Sequence, residues 1–341
     1  LALSQTCITL RIAAYHPYLC SRVVDLTRLP IREVDLNAAK SFDMRNITML
    51  TLLGDTVSRA QVRNVIQKSL NNCARWTTSI KTIFISQRVF ESLSLLTLNK
   101  FSDLKSLYIA TMLDPALLVS HPTNYSFPQW LSQYNQLEQL TLLLEAPSDC
   151  HWLIGILQLL SQCLPTLQEL TIERMHAADD QTLKKSSFLQ NIDPTAIFSR
   201  FKSTSKGKVE PQATAKFLNL QNLALRLDIT SCVSQLIVRL DEITSLRSVE
   251  IGVADDSHVD VAAAIPHQVE AVKLYGRVFA LNPLLFSSLA SEGRNITVLE
   301  LSQRPNHSCG RISQLCVHIG ELTHLKIFIL SRLISYRLDG T

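Results

Sequence analysis

Glycine is scarce in this sequence, nine in 341 residues, and no glycines gather into a loop that could cradle a phosphate. Gly-x-Ser-x-Gly and His-Glu-x-x-His are also absent, which removes two common local signatures of hydrolases. An excess of one charge is lacking, because 33 basic residues face 29 acidic ones for a formal net charge of +4. Nucleic-acid binding would need a strongly basic face and is not expected. No apolar run approaches the roughly 18 to 20 residues of a membrane-crossing helix. The longest, around Trp152 to Leu164, is broken by Gln158, Ser161 and Gln162 and predicts a buried helix instead. Aromatic residues are only 6% against 46% hydrophobic residues in all, so aliphatic side chains must build the core.

Eight cysteines are scattered without a Cys-x-x-Cys pair. That pattern predicts reduced thiols in an intracellular protein rather than a disulfide framework. His307, Cys309, Cys316 and His318 lie near one another in sequence, but their spacing fits no familiar zinc module. Asp255, Asp256 and His258 read as a polar loop. No metal, cofactor or catalytic centre is expected, and the chain is not expected to be an enzyme.

What the sequence does contain is a repeated pattern: apolar, two residues, apolar, one residue, apolar. It occurs at Ile47-Leu50-Leu52, Ile80-Ile83-Ile85, Leu104-Leu107-Ile109, Leu137-Leu140-Leu142 and Leu167-Leu170-Ile172. It resumes at Leu220-Leu223-Leu225, Leu246-Val249-Ile251, Val269-Val272-Leu274, Ile296-Leu299-Leu301 and Leu325-Phe328-Leu330, with a further candidate at Ile31-Val34-Leu36. From Ile47 the first positions are 33, 24, 33, 30, 53, 26, 23, 27 and 29 residues apart. Apolar residues two apart on a strand point to one face. One strand cannot bury that face alone, but stacked parallel strands make a continuous core. Parallel strands need a crossover, usually a helix. Helical spacing is present at Val62, Val65, Ile66 and Leu70, at Val233, Leu236, Ile237 and Leu240, and at Ile312, Leu315, Cys316 and Ile319, where Gly320 is placed to stop the helix.

The period and pattern resemble the leucine-rich repeat. They predict an α/β solenoid, a horseshoe with a parallel concave sheet, helices on the convex side and a helical cap at its N-terminal end. The repeats are irregular. The asparagine or cysteine of the consensus, three residues after the last apolar position, is missing from every copy. The 53-residue spacing predicts a solvated insertion at about 175–216, with seven Lys or Arg against four Asp or Glu.

Residues that alternate with the buried positions should project from the concave face. Those singled out as partner-binding candidates are Phe84, Tyr108, Thr141, Leu143, Glu169, Glu173, Arg226, Asp228, Glu250, Lys273, Tyr275, Glu300 and Ile327. Aromatic and aliphatic side chains there would anchor a protein partner, and the mixed charges would orient it.

Residues 1–26 carry Leu3, Ser4, Cys7, Leu10 and Arg11 on a predicted apolar helix, then Pro17, Tyr18 and Leu19, then an extended Val24, Asp25 and Leu26. This resembles the second half of an F-box as found in fungal F-box/leucine-rich-repeat proteins. The resemblance implies a partial F-box at 1–26 and a repeat domain at 27–341. It also implies an adaptor-facing segment, Leu3, Cys7, Leu10 and Arg11, that would meet a Skp adaptor. The function so implied is substrate recognition for a cullin-RING ubiquitin ligase. The first half of the F-box is not in this sequence, which begins at Leu1 and is expected to be a piece of a longer chain. The alternative is a leucine-rich-repeat scaffold with no ubiquitin role, its first residues serving as a cap.

Overall fold

The computed structural model describes residues 23–25, 48–52, 67, 80–86, 89–90, 98, 100–113, 130–144, 151–174, 217–227, 240, 242–253, 261–262, 265–276, 284–290, 294–303 and 319–331. The chain divides into two compact units, Leu1–Leu143 and Leu144–Thr341. The 1–22 segment, with the predicted cap and Leu3, Cys7, Leu10 and Arg11, lies outside the described residues. So do Ile31-Val34-Leu36, Asp228, the two His/Cys and Asp/His clusters, and the insertion at 175–216.

In the first unit, strands β1 (Val23–Asp25), β2 (Met49–Leu52), β3 (Thr82–Ser86), β4 (Ser106–Leu113) and β5 (Gln139–Leu144) follow one another in chain order. β1 pairs directly with β2, so the short extended piece at 23–25 is itself a rung. The pairing is parallel, with Leu50 beside Ile83 and Ile83 beside Leu107. The second unit holds α1 (His151–Cys163), β6 (Glu169–Arg174), β7 (Asn222–Arg226), β8 (Ser248–Val253), β9 (Ala271–Gly276), α2 (Leu284–Leu289), β10 (Val298–Gln303) and β11 (Ile327–Ser331). Its strands also stack in parallel, and Leu170, Leu223, Val249, Val272, Leu299 and Phe328 stand in one row. The fold is the α/β leucine-rich-repeat solenoid that the spacing predicts.

The register follows from burial. Leu107, Ile109, Leu140, Leu142, Leu223, Leu225, Leu299 and Leu301 are all essentially inaccessible. Each such side chain gains roughly 1.5 to 3 kcal/mol on leaving water. A slip of one residue would turn the whole row to solvent. α1 is the helix predicted around 152–164, with Leu153, Ile156, Leu157 and Leu160 buried as expected and Gln162 exposed. The Ser161 hydroxyl donates to the Gln158 carbonyl (2.7 Å), which satisfies a buried polar group inside the helix. Ile319 is the last helical residue before Gly320 and a turn, where the predicted helix stops.

Two features of the rung go beyond the sequence pattern. First, a tight turn precedes most strands and adds a fourth apolar position. The amide of Leu104 donates to the Phe101 carbonyl, Leu137 to Tyr134, Leu167 to Leu164, Leu246 to Ile243 and Leu325 to Leu322 (3.0–3.2 Å). Phe101, Tyr134, Leu164, Ile243 and Leu322 are themselves buried. Second, one carbonyl per rung accepts two amides from the next. Lys81 accepts from Lys105 and Ser106, Gln221 from Arg247 and Ser248, and Glu270 from Thr297 and Val298. This shared acceptor satisfies the backbone where each strand begins. Side chains reinforce it, for Ser245 Oγ donates to the Leu220 carbonyl (2.8 Å) and Gln268 Nε2 to that of Ile243 (3.0 Å).

An aromatic cluster packs beneath the first unit's strands. The Trp130 ring meets Phe90 and Tyr134 edge-on, with centroids 5.8 Å and 5.3 Å away. The Tyr134 hydroxyl donates to the Leu98 carbonyl at 2.7 Å. Burial pushes the acidity of that hydroxyl far above the ordinary tyrosine value.

Candidate functional site

The buried side chains of the strands leave the alternate positions on the opposite, open face of the sheet. In the first unit the open-face positions described on β3, β4 and β5 are uncharged, and Asp25 of β1 stands in register with Thr51 and, through it, Phe84. Phe84 and Tyr108 are register partners on β3 and β4, and their rings lie 5.0 Å apart at 42°. Ser106 Oγ and Gln139 Oε1, on β4 and β5, are 2.7 Å apart. Thr141 and Leu143 alternate with the fully buried Leu140 and Leu142 and are themselves half-buried. Charges sit at the start of the strands instead, as the ion pairs Lys81–Asp103 (3.2 Å) and Lys105–Glu138 (2.6 Å).

In the second unit the open face carries a row of alternating charge. Glu173 of β6 meets Arg226 of β7 at 3.2 Å. Arg226 also forks onto Glu250 of β8, with Nε–Oε1 2.8 Å and Nη2–Oε2 3.3 Å. Glu250 lies 3.6 Å from Lys273 of β9, and Lys273 lies 3.3 Å from Glu300 of β10. The row crosses five strands and steps by two residues between β7 and β8. The register sets Glu173 beside Arg226, Glu250 beside Lys273 and Lys273 beside Glu300, while Glu250 stands beside Ala224 and Arg226 reaches diagonally to it. Hydrogen bonding to Glu250 raises the Arg226 guanidinium above its already high ordinary value, burial opposes this in part, and the charges of Glu250 and Glu173 add to it.

Beyond Glu300 the face turns apolar. Ile327 and Ile329 of β11 are 50% and 41% exposed, and Ile329 is the register partner of Glu300. Glu169 stands at the other end, on β6, with Asn222 Nδ2 3.3 Å from its carboxylate.

The structure therefore brings together two groups of the predicted face residues. Phe84 and Tyr108 form one, and Glu173, Arg226, Glu250, Lys273 and Glu300 form the other. Thr141 and Leu143 follow the aromatic pair along β5. Tyr275 lies on β9, but its side chain is outside the described part, as is all of Asp228. Sequence reasoning missed Ile329, although the same alternation that marks Ile327 marks it as well. It also missed Gly252 on β8. A Cβ there would fall on the Leu227 carbonyl oxygen, because the backbone leaving β7 crosses over that position.

Among the described residues, no group of three or more His, Cys, Asp or Glu side chains is placed to hold a metal ion. No helix among them is long and apolar enough to cross a membrane. Cys163, on α1, carries a free thiol that is partly buried.

No family model matches the sequence, and no curated protein matches it. Among solved structures the chain is similar to the leucine-rich-repeat-containing protein LegL7 from Legionella pneumophila, at 14% identity and a TM-score of 0.42, over 88% of this chain and 97% of that one. The assignment of fold rests on the paired, in-register strands and not on that likeness.

Proposed function

We propose that this protein is a scaffold that binds another protein on the open face of its sheet. The observation that carries the reading is the ordering of that face. Side chains from successive strands hold one another in place, as the Phe84–Tyr108 ring pair and as the charge row from Glu173 to Glu300. Side chains already fixed lose less freedom when a partner covers them, so such a face is suited to recognition. Its aromatic and aliphatic members supply anchor area, and its charges supply orientation. The reading does not involve a catalytic step. The free Cys163 thiol goes with an intracellular setting.

A finer reading makes the scaffold the substrate receptor of a cullin-RING ubiquitin ligase. It rests on the resemblance of residues 1–26 to part of an F-box, through Leu3, Cys7, Leu10 and Arg11. Co-purification of the full-length protein with a Skp adaptor, lost on Leu10→Asp, is the outcome it requires. A full-length protein that retrieves no adaptor leaves the plain scaffold.

The scaffold reading is tested by comparing proteins captured from the cells of origin by the unaltered chain, by a Phe84→Asp, Tyr108→Asp, Lys273→Glu variant and by a Gln162→Arg control on α1. A set of proteins lost only with the open-face variant supports it. The same set on all three baits rejects it.

A further inference from the structure

β11 is the last strand of the second unit, and among the described residues it pairs with β10 alone. The Ile327 amide donates toward β10, to the Thr297 carbonyl at 3.0 Å. Backbone groups alternate sides along a strand, so the N–H and C=O of Phe328 point to the far edge. The core is also unfinished there. Val272 and Leu274 on β9, and Leu299 and Leu301 on β10, are essentially inaccessible. Phe328 and Leu330 hold the same positions on β11 and are only half-buried. On the other side of the strand Ile327 and Ile329 are exposed. The edge is therefore lined by consecutive apolar residues, Ile327 to Leu330, and neither a proline nor a charge interrupts them to block pairing.

We propose that a second copy of this chain covers the edge, its β11 running antiparallel to the first about a two-fold axis at Phe328. The occupant must be a strand, because outward backbone groups are satisfied by another backbone. It must also be apolar on both faces, to cover Ile327 and Ile329 on one side and Phe328 and Leu330 on the other. β11 is itself such a strand. The triplet Ile327-Phe328-Ile329 reads the same in both directions. An antiparallel copy therefore sets Ile327 against Ile329 of the other chain, and Phe328 against Phe328. The two outward-facing Phe328 backbones exchange a pair of hydrogen bonds, and the facing isoleucines pack as cross-strand pairs.

Charge permits this pairing. Lys326, the residue before the apolar run, stands opposite Leu330 of the other chain and not opposite its own copy. The two Lys326 residues lie about four residues, or roughly 13 Å, apart along the strands, beyond the screening length of about 8 Å at physiological salt. Symmetry favours it as well. A two-fold contact uses the same edge on both chains and closes at two copies, whereas adding β1 of another copy to β11 would leave an edge free at each end and grow an open filament. The axis stands across the sheet, so the open faces of both chains stay uncovered on one side. Of the residues predicted to bind a partner this contact uses Ile327 alone, and it does not rest on the scaffold reading.

The test is the mass of the full chain by light scattering as its concentration is raised from about 1 μM to about 100 μM, over which it is expected to climb toward that of two chains. Ile327→Lys with Ile329→Lys puts like charges on the edge and should hold the mass at one chain over the same range. Gln162→Arg on α1 should dimerise as the unaltered chain does. A second measurement leaves the edge uncharged, so a folding defect in the lysine variant does not decide the outcome. A photo-crosslinking amino acid at Ile329, in a mixture of isotopically light and heavy chains, should join light to heavy at the peptide that carries Ile327. A chain that stays single at about 100 μM overturns the proposal. So does a dimer indifferent to the two lysines. Capture at Val23–Asp25 of another chain overturns it in favour of a head-to-tail contact, and capture only within one chain, at residues 332–341, overturns it in favour of the chain's own end.

Discussion

The guanidinium of Arg226 grips the carboxylate of Glu250 one strand away, through Nε–Oε1 at 2.8 Å and Nη2–Oε2 at 3.3 Å. Two parallel contacts fix the plane of both groups, which a single lysine amine could not do. Glu250 is the more buried of the pair, with its side chain 14% exposed against 40% for Arg226. Arg226→Met leaves that carboxylate with Lys273 at 3.6 Å. The expected loss of stability is about 1 kcal/mol, limited by the exposure of Arg226, and smaller at about 0.5 M salt. Urea denaturation of both chains at two salt concentrations checks it. A loss that does not shrink with salt would show that packing of the Arg226 stem, and not the ion pair, holds the row.

Tyr134 joins the turn before β5 to the aromatic cluster and to the Leu98 carbonyl. Tyr134→Phe keeps the ring and removes the donor, so a cost of about 1 to 2 kcal/mol is expected. Trp130→Ala empties the centre of the same cluster and should cost about 3 to 5 kcal/mol. Thermal and urea melts of the two variants rank them, and a Tyr134→Phe chain as stable as the original would mean that the hydroxyl bond contributes nothing net.

The strands of this protein were legible in its sequence because each copy of the pattern places two buried residues two apart, and only a strand turns such residues to one side. The row from Glu173 to Glu300 was legible as single residues and not as a row. Glu173 and Arg226 are 53 residues apart, and only stacking of β6 on β7 makes them neighbours. The fourth apolar position, at Phe101, Tyr134, Leu164, Ile243 and Leu322, stands three residues before the copies that start at Leu104, Leu137, Leu167, Leu246 and Leu325. It fits neither a strand period nor a helix period, because a tight turn creates it. Ile329 stood in plain view beside Ile327. Nothing in the sequence marks Gly252, whose need for a bare backbone comes from the path of Leu227.

Gly252→Ala places a methyl group on the Leu227 carbonyl oxygen, a backbone atom that cannot swing aside. Either β8 or the chain leaving β7 must shift, and a destabilisation of about 1 to 3 kcal/mol is expected. Thr171→Ala, on the same open face in β6, meets no such obstacle and should stay within about 0.5 kcal/mol. Equal effects of the two changes in a denaturation series would show that Leu227 yields freely.

Burial pushes the Cys163 thiol up to about 11 from 9.0. The thiolate is the reactive form, so peptide-resolved iodoacetamide labelling of the folded protein at pH 8 should modify Cys163 far more slowly than in urea. The same shift links pH to stability. Between about pH 9 and 11 the unfolded chain releases this proton while the folded chain keeps it, so this contribution is full below pH 9 and is lost as pH rises toward 11. Rapid labelling of folded Cys163 at pH 8 would contradict the burial.

A photo-crosslinking amino acid placed singly at Phe84, Thr141 or Lys273 on the open face, and at Gln162 on α1, measures most directly where this protein holds its partner. Capture of the same proteins from the open-face positions, with none of them from Gln162, is the predicted result. Capture from Gln162 and silence from Phe84, Thr141 and Lys273 would contradict it.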